Sequence, residues 1–166
     1  MKPHRVIPTF LLHQRKRSDA SLSDEYETPC ELFFELCREY DMKPQLDVAA
    51  RSTNTKCKYY LPKPFGLTHD WLAPRKRKVD VWCNPPHSLT EEFVRMAYLQ
   101  WIRFDLNIMK IIPATALCSK YAMECIEGNA EYHPILRSKT RFLVRGVQAE
   151  NTSRNGYFVV LFYKRK

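Results

Sequence analysis

The sequence predicts an α/β fold: a mostly parallel sheet with helices packed on its faces, completed by a C-terminal antiparallel strand pair. Three observations lead there. Short apolar runs alternate with amphipathic ones between residues 30 and 127. Two of the amphipathic runs open on segments with the form of a capping box, Thr28-Pro29-Cys30-Glu31 and Ser88-Leu89-Thr90-Glu91. The chain closes on two β-like runs, 141–144 and 157–163, whose polar connector 145–156 carries a glycine near each end, as a terminal hairpin would.

The elements follow in order. Residues 1–23 carry Lys2, Arg5, Arg15, Lys16 and Arg17 against the single acid Asp19, and read as a flexible basic arm before a domain at 24–166. After Thr28, residues Leu32, Phe33, Leu36, Cys37 and Tyr40 recur at helical spacing. Residues 45–48, ending in Ala49-Ala50, read as a short buried strand. Residues 51–78 lack a period, contain Pro62, Pro64 and Pro74, and read as mostly loop with short elements. Residues 79–83 form a second strand, stopped by Asn84-Pro85-Pro86-His87. The next helix places Phe93, Val94, Ala97, Tyr98 and Trp101 on one side. A third strand covers 106–112 and stops at Pro113, and a helix covers 115–127 and stops at Gly128.

Composition bounds the function. A chain of 166 residues, 45% hydrophobic and 27% charged, fits one globular domain and excludes global disorder. The formal net charge of +9 points to a polyanionic partner. Only 4 glycines are present, where average usage would give roughly 12. No G-x-G-x-x-G loop and no Walker A loop occurs. No run of 18 apolar residues suggests a membrane span. The apolar stretch 6–12 is broken by Pro8 and lacks a small-residue cleavage site, which argues against a secretory signal. Cysteines 30, 37, 57, 83, 118 and 125 form no C-x-x-C pair and read as reduced core thiols. The histidines at 4, 13, 69, 87 and 133 show no ligand spacing, so no metal is expected.

The segment Asn84-Pro85-Pro86-His87 carries chemistry. It follows a buried strand and precedes a helix, and the carboxyl ends of strands are where open α/β sheets bind ligands. Two prolines fix two φ angles and remove two donors. They also keep the preceding residues out of the helical region. The product is a stiff extended turn, in which Asn84 Oδ1 and the Pro85 carbonyl can both accept from one amino group. An aromatic ring at the fourth position can stack on the ring that carries that group.

These residues resemble motif IV, (Asn/Asp)-Pro-Pro-(aromatic), of S-adenosylmethionine-dependent amino-methyltransferases. Thr28-Pro29 is similar to the motif at the methionine end of the cofactor, and Asp47, Ala49 and Ala50 occupy the place of motif I. Asp70-Trp71 stands where motif III presents an acid to the cofactor's adenine. The order is that of the gamma arrangement. The phage-type DNA adenine methyltransferase family is more similar still. It matches in Leu46-Asp47-Val48-Ala49-Ala50, Asn54-Thr55-Lys56-Cys57, Tyr59-Tyr60, Gly66-Leu67, Trp82-Cys83-Asn84-Pro85-Pro86, Phe93 and Lys139-Thr140-Arg141-Phe142, over about residues 24 to 163. The resemblance implies an abbreviated S-adenosylmethionine-dependent methyltransferase fold. It further implies direct methyl transfer to the 6-amino group of an adenine turned out of DNA, with S-adenosylmethionine as cofactor. It implies catalytic roles for Asn84, Pro85, Pro86 and His87, and cofactor contacts for Thr28, Pro29, Asp47, Ala49, Ala50, Asp70 and Trp71. Such a protein acts inside a cell, wherever its target DNA lies.

The basic run Arg75-Lys76-Arg77-Lys78, with Lys139, Arg141, Arg145, Arg154 and 164–166, is read as a DNA face gathered at the mouth that holds Asn84 to His87. Little chain remains for target recognition, which falls to loops such as 114–121 or 147–155, or to a second subunit in a homodimer or with a partner. The sequence departs from the family pattern in three ways. His87 replaces a tyrosine, phenylalanine or tryptophan; motif I lacks its glycines; and no acid between Arg51 and His69 meets the ribose hydroxyls. Two other readings therefore stand beside the first: a catalytically decayed protein that binds nucleic acid without methylating it, and methylation of RNA adenine or of the cytosine amine. The Pro29-Cys30 pair resembles the nucleophile of cytosine carbon-5 methyltransferases. It opens the first helix instead of following the catalytic strand, and reads as a buried helix cysteine.

Overall fold

The computed structural model describes residues 22–136, 139–149 and 156–163. The basic arm lies outside them except for its last two residues, and so do Arg154 and 164–166. The main sheet has six strands: β1 (Leu46–Ala50), β2 (Tyr59–Pro62), β3 (Val81–Cys83), β4 (Ile108–Pro113), β5 (Glu131–Ile135) and, last in the chain, β8 (Tyr157–Phe162). Their order is β2-β1-β3-β4-β8-β5. The first four run parallel, β8 runs antiparallel to β4, and β5 runs antiparallel to β8. A separate hairpin joins β6 (Leu143–Val144) to β7 (Val147–Gln148).

Among the described residues three α-helices cover the sheet: α1 (Cys30–Glu39) on one face, α2 (Thr90–Phe104) and α3 (Lys120–Cys125) on the other. Alternation along the strands sends their side chains to two cores. Trp82, Met109, Ile111, Val159 and Leu161 meet Leu32, Phe33 and Leu36 of α1. Val81, Cys83, Ile108, Ile112 and Val160 meet Phe93, Val94, Ala97, Ala122 and Cys125 of α2 and α3. The free cysteines include Cys83 and Cys125 in the second core, whereas Cys30 and Cys118 are exposed.

The α/β architecture is as expected, and several local expectations are corrected. The terminal hairpin does not form between 141–144 and 157–163. Residues 143–144 pair with 147–148, and β8 inserts between β4 and β5, where both of its edges are satisfied. The edge partner β5 carries Pro134, which an edge strand tolerates and which masks a strand in the sequence. The helix expected at 115–127 divides into a 3₁₀ turn, Ala114–Cys118, and α3. The break falls at Ser119, which is extended and whose hydroxyl accepts from Ala122 N at 3.3 Å.

Neither capping box forms. Pro29, not Thr28, is the N-cap of α1, and no side chain caps that end. Glu27 is bonded in both directions to Leu143, at 2.8 and 2.9 Å, which pins the strap before α1 in an extended path. At the second box a 3₁₀ turn, His87–Leu89, precedes α2, and Ser88 turns its amide and hydroxyl to Asp24.

Candidate active site

The parallel strands all end on one side of the sheet, where β1 delivers Ala49 and Ala50 and β3 delivers Asn84. A narrow cleft of about 20 Å³ opens there, lined by Tyr26, Glu27, Thr28, Asp47, Ala49, Ala50, Asn54, Lys56, Lys63, Trp82 and Asn84. A wider depression of about 640 Å³ shares Ala50 and Lys63 with it and continues past Arg51, Tyr60 and Pro62. Thus Thr28, Asp47, Ala49, Ala50 and Asn84, spread over the sequence, come together.

Asp47 sits on buried β1 and is 4% exposed. Its Oδ1 accepts from Ala49 N at 3.2 Å and its Oδ2 from Lys56 N at 3.1 Å. Burial nevertheless dominates and pushes its pKa up to about 6, with the two amides and the Lys56 charge opposing it. Thr28 Oγ1, which lines the same cleft, is buried with no hydrogen-bond partner among the described residues. A buried hydroxyl left unpaired costs about 1–3 kcal/mol, which a ligand in the cleft would recover.

Asn84 donates from Nδ2 to the Tyr26 carbonyl at 3.3 Å. That bond uses one of the amide's two N–H groups on the strap and leaves Oδ1 available as an acceptor. The strap holds the next turn as well. Asp24 accepts from Ser88 N at 2.8 Å and also from the Ser88 hydroxyl. On the cleft's other side Lys63 Nζ donates to the Asp24 carbonyl at 2.7 Å, Arg51 pairs with Glu25, and Asn54 Nδ2 donates to Glu27 Oε1 at 3.3 Å.

Pro85 and Pro86 are buried, and His87 is half-buried beside Asn84. Its Nε2 lies 3.2 Å from the Tyr157 hydroxyl, and its ring meets Tyr26 edge-on with centroids 5.5 Å apart. Phe142 joins them, stacked on Tyr26 at 5.6 Å and edge-on to Tyr157 at 4.6 Å. Burial lowers the His87 pKa below its usual 6.5, against a smaller upward pull from Asp24. The imidazole is therefore neutral at pH 7 and adds no cation to the aromatic wall.

A family model described as DNA N-6-adenine-methyltransferase (Dam) matches residues 15–166. The chain belongs to the DNA N-6-adenine-methyltransferase (Dam) family. A "DNA N-6-adenine-methyltransferase" of Haemophilus phage HP1 (strain HP1c1) is 27% identical over 150 residues, covering 89% of this chain and 81% of the relative. As in the Dam family generally, use of S-adenosylmethionine is implied. The residues present fit that group: the cleft offers a buried carboxylate and an unpaired hydroxyl to a cationic sulfonium amino acid.

Other expected site residues lie elsewhere. Trp71 is fully buried, with its Nε1 bonded to the Gly66 carbonyl at 2.7 Å and its amide to Gln100 Oε1 at 2.7 Å. Asp70 is exposed and pairs with Arg103 near the C-terminal end of α2, at 2.8 Å. Neither lines the cleft. Arg75, Lys76, Arg77 and Lys78 precede β3 and stand where the strands begin, so they do not gather at the mouth. Lys139 pairs with Glu35, and Arg141 is exposed beside the buried Phe142. The sequence reading missed Asp24, Tyr26, Glu27, Lys63 and Tyr157 as site residues. The acidic run Asp24-Glu25-Tyr26-Glu27 just before Thr28 was the available signal for the strap.

Proposed function

We propose that this member of the Dam family transfers a methyl group from S-adenosylmethionine to the exocyclic 6-amino group of adenine in DNA, at specific sites. The observation that carries the reading is the Asn84 amide, which lines the cleft and whose nitrogen is bonded to the Tyr26 carbonyl, so that its oxygen is available as an acceptor. The adenine amine is a weak nucleophile because its lone pair is delocalised into the ring. Two acceptors, Asn84 Oδ1 and the Pro85 carbonyl, hold its two protons and favour a pyramidal nitrogen, which is stabilisation of the transition state by fixed dipoles. The base leaves the duplex at a cost of a few kcal/mol. The neutral His87 ring, with Tyr26 and Tyr157 around it, offers a face against which the base rests. The cofactor supplies an electrophilic methyl group and its own leaving group. Asp47, Thr28 and the Ala49-Ala50 backbone would hold it, with Pro29 next to Thr28 in the chain as the N-cap of α1. The amine proton passes to water, since Asn84 and Pro85 offer only weakly basic oxygens.

Lys139 and Arg141 are assigned to the duplex backbone, and the loops 114–121 and 147–155 to target choice, in part with residues outside the described ones. No described helix is long and apolar enough to cross a membrane. Acting on DNA, the protein would work inside the cell, where its target DNA lies. The test is incubation with labelled S-adenosylmethionine and unmethylated DNA, then digestion and identification of the modified nucleoside. Labelled N6-methyladenine that disappears in Asn84→Ala supports the reading. Cofactor and DNA binding without any transfer would replace it with that of a nucleic-acid-binding protein. Labelled cytosine, or label confined to RNA, would reassign the substrate.

A further inference from the structure

We propose that the turn carrying Arg75, Lys76, Arg77 and Lys78 is a second contact for duplex DNA, facing away from the reacting base. The proposal rests on the DNA reading and adds a surface the reaction itself does not need.

Ala73 and Arg77 form an antiparallel bridge, with Ala73 N donating to the Arg77 carbonyl at 2.9 Å. This closes a tight turn with Arg75 at φ 69° and Lys76 at φ 55°. Glycine, asparagine or aspartate would occupy that left-handed region at less cost, about 1–2 kcal/mol less per residue for glycine. The base of the turn is anchored by Ala73, 3% exposed, and Val79, 9% exposed, in the α2 core. Residues 74–78 are all exposed, and none of the four cations makes an ion pair among the described residues. Four like charges on a rigid, strained turn repel one another, and a phosphate backbone relieves that repulsion by releasing its counterions.

Position decides what the turn can touch. The Asp80 carbonyl accepts from Gln45 N at 2.9 Å, and its Oδ1 from Asn107 Nδ2 at 2.8 Å. Those partners precede β1 and β4, so Asp80 and the turn before it lie at the starting edge of the sheet. Asn84 lies at the finishing edge. From Lys78 to Asn84 the chain spans about 20 Å if extended, and α2 runs back about 22 Å between the same two edges. A duplex of about one and a half turns extends about 25 Å to either side of the base at Asn84, more than this separation, so orientation and not length decides: laid across the mouth along the finishing edge, such a duplex does not reach the turn. A longer duplex that bends back, or a second duplex, does.

The experiment compares the parent protein with Arg75→Gln/Lys76→Asn/Arg77→Gln/Lys78→Gln, asparagine being tolerated at positive φ. Binding is read by fluorescence anisotropy, on intact unmethylated plasmid fragments and on fragments trimmed to about 15 base pairs, which is ~50 Å of duplex. Methyl transfer per target is read on the same DNAs, and a thermal melt checks the fold. On long DNA we expect affinity to fall about tenfold or more near physiological salt, and the slope of log K against log salt to shrink by about 0.9 for each lost phosphate contact. On short DNA, binding and transfer change less than twofold. Equal loss on both lengths would place the turn in the reacting complex and overturn the proposal. Loss on neither would show that the turn does not touch DNA. A parent protein that binds DNA with this length dependence but transfers no methyl group would sink the proposed activity and leave the second surface standing.

Discussion

Replacing Lys110 with methionine isolates the electrostatic strain of the core. Lys110 lies on β4 with 0% exposure, and its Nζ has no hydrogen-bond partner. It shares its face of the strand with Ile108 and Ile112, and stands in register with Cys83 and Val160 on the neighbouring strands. Burial lowers its pKa from 10.5 to about 8, and the nearby Cys83 and Cys125 offset this only in part. Burial also pushes the Cys83 thiol up to about 12, so it is neutral and gives the ammonium no counterion at pH 7. At ~1.4 kcal/mol per tenfold change in proton affinity, the buried ammonium costs about 3 kcal/mol at neutral pH. The folded pKa lies below the unfolded one, so the unfolded chain binds the extra proton between pH 8 and 10.5. Stability therefore rises with pH across that window and is flat below it. Lys110→Met keeps most of the stem volume and removes the amine. The variant should be more stable at pH 7 by about 3 kcal/mol, a rise of roughly 6–12 °C in Tm for a chain of this size, with activity retained because Lys110 lines neither cleft. Thermal melts followed by far-UV circular dichroism at pH 7, 9 and 10.5 should show the gap closing as pH rises. A gap that ignores pH, or a variant less stable at pH 7, would refute the reasoning.

Four further outcomes are expected around the site. Tyr157→Phe removes the hydroxyl at His87 Nε2 and keeps the ring; a lost hydrogen bond of about 1 kcal/mol predicts a roughly fivefold fall in kcat, with the cofactor Kd unchanged by calorimetry. His87→Tyr puts a larger ring between Tyr26 and Tyr157, each 5.5 Å away by centroid; turnover should fall, and a rise would mean that base stacking had been the limit. Because the Asp47 pKa is raised to about 6, affinity for S-adenosylmethionine should tighten about tenfold from pH 5 to 7 as the carboxylate ionises. An Asp47→Asn variant that keeps the same pH profile would place the titrating group elsewhere. Asp24→Asn and Ser88→Ala should be strongly non-additive in urea unfolding, with a coupling of about 1.5–3 kcal/mol for the charge-assisted pair; additive effects would remove Asp24 as the anchor of the catalytic turn.

The stiff turn at Asn84, Pro85, Pro86 and His87 was legible in the sequence because two prolines after a strand end define it locally, even though the strap then anchors it. The same holds for β1, whose five residues are all buried and read as one apolar run around Asp47. The strap was not legible. Its decisive bonds, Tyr26 to Asn84 and Asp24 to Ser88, span 58 and 64 residues. They also explain why the capping boxes misled. A serine cap contributes about 1 kcal/mol, whereas a hydrogen bond to a carboxylate contributes about 1.5–3 kcal/mol. Ser88 therefore leaves its helix for Asp24. The placement of β8 between β4 and β5 was hidden in the same way, because a run buried on both faces carries no sign of which neighbours it will have. Arg75 to Lys78 misled for a topological reason: proximity in sequence to Asn84 means, across a strand, the opposite edge of the sheet.

On the proposed reading, the turn after β1 meets the cofactor without a glycine loop. A glycine loop frees backbone amides to point at an anionic phosphate. Here the amides of Ala49 and Lys56 are both spent on the Asp47 carboxylate, so the turn after β1 presents a negative charge instead of a row of donors. That arrangement suits a cationic sulfonium compound with an ammonium group and would repel a nucleotide phosphate. The one glycine near the cleft that sterics demand is Gly66, where an added Cβ would stand 1.9 Å from the Val48 carbonyl oxygen. Its close approach seats the turn Phe65–Leu67 against β1 and places its carbonyl for the Trp71 indole. Gly66 brings protein backbone against protein backbone, whereas Gly128, Gly146 and Gly156 sit at positive φ in open space; on the proposed reading, recognition of the cofactor falls to Asp47, Thr28 and the acidic strap.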